Sequence, residues 1–329
     1  MRALVCPRFG DPSVVTLQDW PETAPERGEV RVLTHAAGVN YPDVLSIQGT
    51  YPVKSEPPFV PGIEGAGEVL ECGRDIDGVK PGDRVCWQDN TVKGGFAEQI
   101  TLPATRLSKI PDELDYVRAA SVPTVYGTAL FALEHRAQLK PGEVLVVHGA
   151  SGGVGLAAVQ VGKMMGATVI GTGGDDGKLR IVRENGADHI INFRTEDVRD
   201  RVLELTGGRG ADVYCDPVGG DLFDASMRAI ARYGRILVIG FTSGRFAVAR
   251  TNILLVKGAS VIGASYGRYL DHEPSEARAA MSKLLRWIVE GKLSPRVHET
   301  FPLSQGVKAL QGVVERKVVG KYVLLNQQL

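Results

Sequence analysis

At 329 residues the chain is longer than one ordinary hydrophobic core supports, and this length predicts two domains. Its 43% apolar and 23% charged residues are the composition of a soluble globular protein, and 40 glycines and 18 prolines spread between apolar runs indicate tight turns, not disorder. Lys+Arg and Asp+Glu balance at 38 each, which leaves no field for holding phosphate backbones and excludes nucleic acid as a main partner, and the lack of any uninterrupted apolar run of about 18 residues argues against a membrane span.

In chain order, the opening MRALVCPRFGDPSVV has no apolar signal core, and a cytoplasmic protein is expected. Cys6, Cys72, Cys86 and Cys215 lie far apart and form no C-x-x-C pair, so they read as free buried thiols. Up to residue 120 or so the chain is β-rich: EVRVLTHAAGV, GAGEVLECG and DRVCW are separated by Gly, Pro and Asp turns. The texture then changes. GEVLVVHG reads as a buried strand, VGLAAVQVGKMMGA as a small-residue helix, TVIGTG as a strand, DGKLRIVRENGA as a helix and HIINF as a strand. ADVYCDPVGG, DLFDASMRAIARYG and RILVIGF repeat the alternation. This rhythm indicates βαβ units and a parallel sheet. After SVIGAS it stops. PSEARAAMSKLLRWIVEG carries Ala277, Met281, Leu284, Leu285, Ile288 and Val289 at helical spacing, with Gly291 as the stop, and GKYVLL is a final short strand. The predicted layout is a β-rich domain of residues 1–120 with 266–329 and an inserted nucleotide-type domain of 121–265.

The stretch VVHGASGGVG fits two catalytic patterns. Gly149-Ala-Ser151-Gly-Gly153 satisfies the G-x-S-x-G elbow of serine hydrolases, which would need an acid and one of His189, His272 or His298 to converge on Ser151. Ala150 to Gly155 nearly matches the glycine fingerprint for a dinucleotide pyrophosphate. The second reading is favoured. The glycines run on to Gly155, and Ala157, Ala158 and Gly162 suit a helix packed close to its strand. A turn of Ser151, Gly152, Gly153, Val154 and Gly155 then offers backbone N–H groups and the positive helix end to a diphosphate. His148, at the strand end, reads as structural.

An NAD-preferring site ends its second strand in an acid about 20 residues past the fingerprint. Here that place holds Thr172-Gly173-Gly174, with Asp175 and Asp176 slightly late and Lys178, Arg180, Arg183 and Arg194 following. This favours a 2′-phosphate and NADPH, while Asp175 keeps NADH possible. Arg180 and Arg183 read equally well as a solvated helix face.

AAGVNYPDVLSIQGTYP, PGIEGAGEV, VKPGDRV, ASVPTVYGTA, the glycine fingerprint and the closing FPLSQGVKAL to GKYVLL together resemble the zinc-independent quinone oxidoreductases of the medium-chain dehydrogenase/reductase superfamily. The resemblance implies an α/β protein: a GroES-like β-rich catalytic domain with an inserted Rossmann domain, a doubly wound parallel sheet, and a cleft between the two. It also implies a homodimer that uses NADPH to reduce quinones, α,β-unsaturated carbonyls or enoyl thioesters. Zinc-dependent relatives place a Cys and a His where this chain has Asn40 and Ile63, and a further possible ligand where it has Leu45. None of these is a zinc ligand, so no metal is expected. Without a Lewis acid, a conjugated acceptor eases the chemistry, because the hydride's charge spreads into an enolate or a hydroquinone anion that hydrogen-bond donors can hold.

By the same resemblance Asn40 hydrogen-bonds the cofactor or the substrate carbonyl, and Asp43 holds the site's hydrogen bonds. Tyr51 stands where related enoyl thioester reductases have a proton donor, although a pocket-lining tyrosine fits equally. Thr124 and Tyr126 approach the nicotinamide or its ribose, Gly240 and Phe241 end a strand at the ligand-binding edge, and Asn252 lies near the cleft. Gly174 and Lys178 lie at the adenosine phosphate. Phe193 stands where many relatives carry Tyr, and Glu64 matches a retained family acid. Competing readings are an acryloyl- or crotonyl-type thioester reductase and a nucleotide-binding protein with little turnover.

Overall fold

Strand Glu29–Val39 sets the pattern of the first sheet. Val30 and Val32 point inward and are fully buried, their neighbours Glu29, Arg31 and Leu33 are half-exposed, and from Thr34 onward both faces are covered. It pairs antiparallel with Glu64–Cys72, Gln99–Pro103 and Lys321–Leu325. Arg84–Gln88 and Leu107–Lys109 extend the sheet on one side, and Val297–Pro302, parallel to Lys321–Leu325, closes the other. Arg2–Val5 and Thr16–Asp19 form a separate two-stranded ribbon. In this computed structural model residues 1–53, 55–89 and 94–326 are described. They divide into Met1–Thr124 with Gly267–Leu329, and Val125–Tyr266.

The first unit has two apolar clusters. One gathers Leu4, Val44, Ile47, Ile63, Phe96, Leu310 and Leu324. The other gathers Val30, Val32, Val85, Trp87 and Leu102. Helix Pro274–Val289 buries Ala277, Met281, Leu284, Leu285 and Ile288 as its periodicity requires, and Gly291 ends it at φ +72°. Val289 departs from the expected stripe and is exposed. It falls on the outer edge of the apolar arc, where the helix is already turning toward solvent.

The second unit is a six-stranded sheet. Its order is His189–Asn192, Thr168–Gly173, Val144–Val147, Ala211–Asp216, Ile230–Val238, Ser260–Gly263. Every pairing is parallel. In chain order this is 3-2-1-4-5-6, so the direction of winding reverses beside Val144–Val147. The strand is buried almost throughout, as a parallel strand covered on both faces must be. Helix Gly153–Met164 packs close to it because Gly162 has no side chain: a Cβ there would lie 2.4 Å from Leu145 Cδ2.

The segment IARYG, expected to finish a helix, belongs to strand Ile230–Val238. The helix ends at Ala229, Ile230 drops into the core, and Tyr233 takes a left-handed φ of 62° at a register shift against Ala211–Asp216. Cys6, Cys86 and Cys215 are buried free thiols, whereas Cys72 is only half-buried. Among the described residues no helix is long and apolar enough to cross a membrane.

Candidate functional site

The glycine turn forms where strand Val144–Val147 ends. Gly149 is left-handed at φ +57°, Ala150 N–H donates to Thr172 O at 2.9 Å, and Gly152 starts helix Gly153–Met164 in an extended conformation. Gly155 has to be glycine, since a Cβ would come within 2.2 Å of Gly149 O. At Gly152 the nearest atom would be 3.4 Å away, so a side chain fits the fold there. No side chain caps this helix, which leaves the N–H groups of its first turn and the positive end of its dipole facing outward. Ser151, Gly152, Gly153 and Val154 are half-exposed along that surface, with Gly155 buried beneath.

His148 takes no part in the outward surface. Its ring is fully buried, with Nδ1 2.9 Å from Thr172 Oγ1 and Nε2 2.7 Å from Ser226 Oγ. Ser226 donates its own proton to Leu222 O, so Nε2–H must donate to Ser226 and Nδ1 must accept from Thr172. Burial holds the imidazole's pKa below its ordinary value and keeps it neutral. Among the described residues no histidine hydrogen-bonds Ser151, and the hydrolase reading has no base.

Three further segments reach the same sheet edge. After Thr168–Gly173, Gly174 packs against Phe193 and Arg194: a Cβ there would lie 2.9 Å from the ring and 3.1 Å from Arg194 Nε. Asp175 Oδ1 accepts the Lys178 N–H at 2.8 Å and caps helix Asp176–Glu184. Lys178 is half-buried, and loss of water around its ammonium lowers its pKa, against the pull of Asp175. Arg180 and Arg183 are exposed on the same helix. On the other side, Asp216 Oδ1 accepts Val218 N–H at 2.8 Å and Gly219 N–H at 2.9 Å. This fixes a turn whose Val218 side chain would be 3.2 Å from a Cβ on Gly149. Gly240 lies against Pro217 O, with 3.4 Å for a Cβ, and Phe241 lies against Gly219. Asn252, in contrast, is exposed on helix Thr251–Lys257. Tyr126 donates its hydroxyl to Gln160 Oε1 at 2.9 Å and is buried against the glycine helix.

In the first unit the chemistry centres on Asn40, which precedes the short helix Tyr41–Ile47. Its backbone N–H donates to Asp43 Oδ2 at 2.7 Å, and Nδ2 donates to Glu64 Oε1 at 2.8 Å and Gly38 O at 3.2 Å. Lys321 Nζ donates to Asn40 Oδ1 at 2.6 Å and Val39 O at 2.8 Å, and forms an ion pair with Glu64 Oε1 at 2.6 Å. Glu64 Oε2 accepts the Thr124 N–H at 2.7 Å. Gly38 makes room for this carboxylate, since a Cβ there would lie 2.3 Å from Glu64 Oε1. Glu64 is 0% exposed and Lys321 4% exposed, so the pair has left water and depends on these hydrogen bonds to offset desolvation. Among the described residues Asp43 Oδ1 and Thr124 Oγ1 are buried without a hydrogen-bond partner.

Burial pushes the Asp43 carboxyl up to about 7, against the lowering effect of its backbone hydrogen bond and Lys321. Tyr51 packs on the nearby apolar cluster, and burial followed by the charge of Asp43 raises its phenol. Its hydroxyl has no hydrogen-bond partner among the described residues. Asn40, Asp43 and Thr124 thus share one network, with Tyr51 beside it. Sequence reasoning matched Glu64 to a retained family acid without a partner and missed Lys321. The one available signal was a lysine heading the otherwise apolar strand KYVLL. Ile63 is buried and apolar at 2% exposure, and no cluster of three or more metal-ligating His, Cys, Asp or Glu side chains occurs among the described residues.

Comparison with known proteins gives the family and the fold. The family model for the alcohol dehydrogenase GroES-like domain matches residues 26–112, and that described as zinc-binding dehydrogenase matches 153–288. A quinone oxidoreductase-like protein 2 homolog of Nematostella vectensis is 40% identical, over 99% of this chain and 89% of its own length. The structure of Escherichia coli quinone oxidoreductase complexed with NADPH superposes with a TM-score of 0.90 at 29% identity, covering 99% of this chain and 100% of that one. A 2-haloacrylate reductase superposes at 0.87 and 30% identity, with the same coverage.

Proposed function

The chain belongs to the quinone oxidoreductase family of the medium-chain dehydrogenase/reductases, and from this we propose that it is a metal-free, NADPH-dependent reductase of quinones or of the β-carbon of α,β-unsaturated carbonyls. The observation that carries the reading is the uncapped glycine turn, with Gly155 sealed against Gly149 and its N–H groups turned outward. The E. coli relative solved with NADPH supports the same cofactor here. Ser151, Gly152, Gly153, Val154 and Gly155 bind the pyrophosphate. Gly174, Lys178, Phe193 and Arg194 receive the 2′-phosphoadenosine end. Asp175, with one oxygen engaged as a helix cap, is a weak ribose ligand, so NADH is a poorer substitute. Gly240 and Phe241 flank the cofactor. Asn40 and Thr124 hold its nicotinamide end, with the unpartnered Thr124 hydroxyl available for a hydrogen bond.

Bound NADPH supplies a hydride from C4 of its nicotinamide. The protein's own contribution is to hold the acceptor against that carbon and to keep water away. The absence of a thiolate or imidazole at Asn40, Leu45 and Ile63 supports chemistry without zinc. For an alkene acceptor Tyr51 donates the proton: its hydroxyl has no hydrogen-bond partner among the described residues, and the acceptor's enolate must offset the weaker acidity that burial gives the phenol. Quinone reduction can draw its proton from water. Tyr51→Phe therefore slows enal or enoyl thioester reduction about 10²-fold or more while leaving quinone reduction within about threefold. Equal losses on both acceptors would remove Tyr51 from the proton step.

We also propose a homodimer in a reducing compartment such as the cytosol. The four unpaired cysteines fit that compartment. Edge strand Ser260–Gly263 and the exposed Phe246, Val248, Leu255 and Val256 of the same unit support self-association.

A further inference from the structure

We infer that Lys321 and Glu64 are positioning residues that make Asn40 a hydrogen-bond acceptor only. Asn40 therefore receives an N–H or O–H from the nicotinamide riboside end of the cofactor and does not donate to the carbonyl of the acceptor. This rests on the proposed NADPH reading and narrows it.

The inference follows from counting hydrogen-bonding capacity. A carboxamide has two N–H donors and two oxygen lone pairs. Both donors of Asn40 are taken, by Glu64 Oε1 at 2.8 Å and Gly38 O at 3.2 Å. One lone pair is taken by Lys321 Nζ at 2.6 Å. The amide has no second orientation. Turning it over would set its NH2 against an ammonium and its oxygen against a carboxylate, and both contacts would be repulsive. Lys321 is itself engaged, donating to Val39 O and Asn40 Oδ1 and paired with the Glu64 carboxylate. Glu64 is held in turn by the Thr124 N–H. The Asp43 N–H donates to the Asn40 backbone carbonyl at 3.2 Å, so what remains on Asn40 is one lone pair of Oδ1. A substrate carbonyl offers no proton to it. The nicotinamide end of NADPH offers the carboxamide N–H and the ribose hydroxyls.

The test compares binding of NADPH with binding of 2′,5′-ADP, which carries the phosphorylated adenosine end and no nicotinamide. In Lys321→Met/Glu64→Gln the buried charges are replaced together, and Asn40 loses its constraint. NADPH should bind about 3- to 10-fold more weakly, the value of one oriented hydrogen bond, with 2′,5′-ADP unchanged. Asn40→Asp/Glu64→Gln moves the negative charge to position 40, keeps the pair with Lys321 and leaves an acceptor-only side chain. It should hold NADPH within about threefold of the wild type. The 3-acetylpyridine analogue of NADPH lacks the carboxamide N–H. Weaker binding of it by the wild type assigns that donor, and equal binding assigns the ribose hydroxyls. An NADPH to 2′,5′-ADP ratio unchanged in the first variant, or a selective loss of NADPH by the second, overturns the inference. Failure of the wild type to bind either ligand contradicts the cofactor assignment instead.

Discussion

Near neutral pH the Asp43 carboxyl lies between its two states, closed off from water with one oxygen unpartnered among the described residues, and this makes it a residue through which pH reaches the first unit. Its folded pKa, about 7, is raised above the ordinary 3.8. The folded state therefore holds the proton more tightly than the unfolded chain does. Stability is full below about pH 4 on this account, and it declines as pH rises through 7, where a buried charge must form. Asp43→Asn keeps the shape and the acceptor for Asn40 N–H without that charge. Its stability gain over the wild type should rise from about 1–2 kcal/mol at pH 5 to about 4 kcal/mol at pH 8. Equal melting differences at the two pH values would show that Asp43 is ionised in the fold without penalty. Asn40 and Asp43 were legible in the sequence because their motif is local. Lys321 was not, because nothing in the sequence near GKYVLL says that this strand pairs with Glu29–Val39, or that the Lys321 ammonium reaches Val39 O and Glu64. The acceptor-only state of Asn40 was illegible for the same reason, since two of its partners, Glu64 and Lys321, come from distant segments.

At the scale of elements, strand–turn–helix from Val144 to Met164 separates what folding needs from what binding needs. Gly155→Ala would force Cβ into Gly149 O and shift the helix, so it should lose both stability and NADPH affinity. Gly152→Ala has room in the fold but puts a methyl on the surface offered to the pyrophosphate. It should melt within about 1 kcal/mol of the wild type and bind NADPH at least about tenfold more weakly. Unchanged affinity in Gly152→Ala would move the phosphates away from this turn. Most elements of this unit could be read from the sequence because a parallel sheet needs continuous apolar strands spaced by amphipathic helices. Ile230–Val238 could not be bounded, because the left-handed Tyr233 lets ARYG continue a strand where its composition suggests the end of a helix.

At the scale of the whole molecule, the open edge of the six-stranded sheet and the exposed Leu255 and Val256, 83% and 81% accessible, argue for self-association. Light scattering should give a mass of two chains for the wild type and of one for Leu255→Glu/Val256→Glu, with NADPH affinity retained. A monomeric wild type contradicts that assignment. The α/β class with its GroES-like and Rossmann domains was accessible from the sequence because the motifs are spread over nearly the entire chain. Acceptor identity was not, since Tyr51 suits a proton donor and a pocket wall alike until its surroundings are known. The central claim is hydride transfer from NADPH without a metal. Its most direct test is the oxidation of NADPH and NADH by metal-depleted protein, with an ortho-quinone and an enal as acceptors, in the presence and absence of chelator. The account predicts turnover with NADPH at least about tenfold more efficient than with NADH and indifferent to chelator. No turnover with either acceptor, or an alcohol dehydrogenation that chelator abolishes, would contradict it.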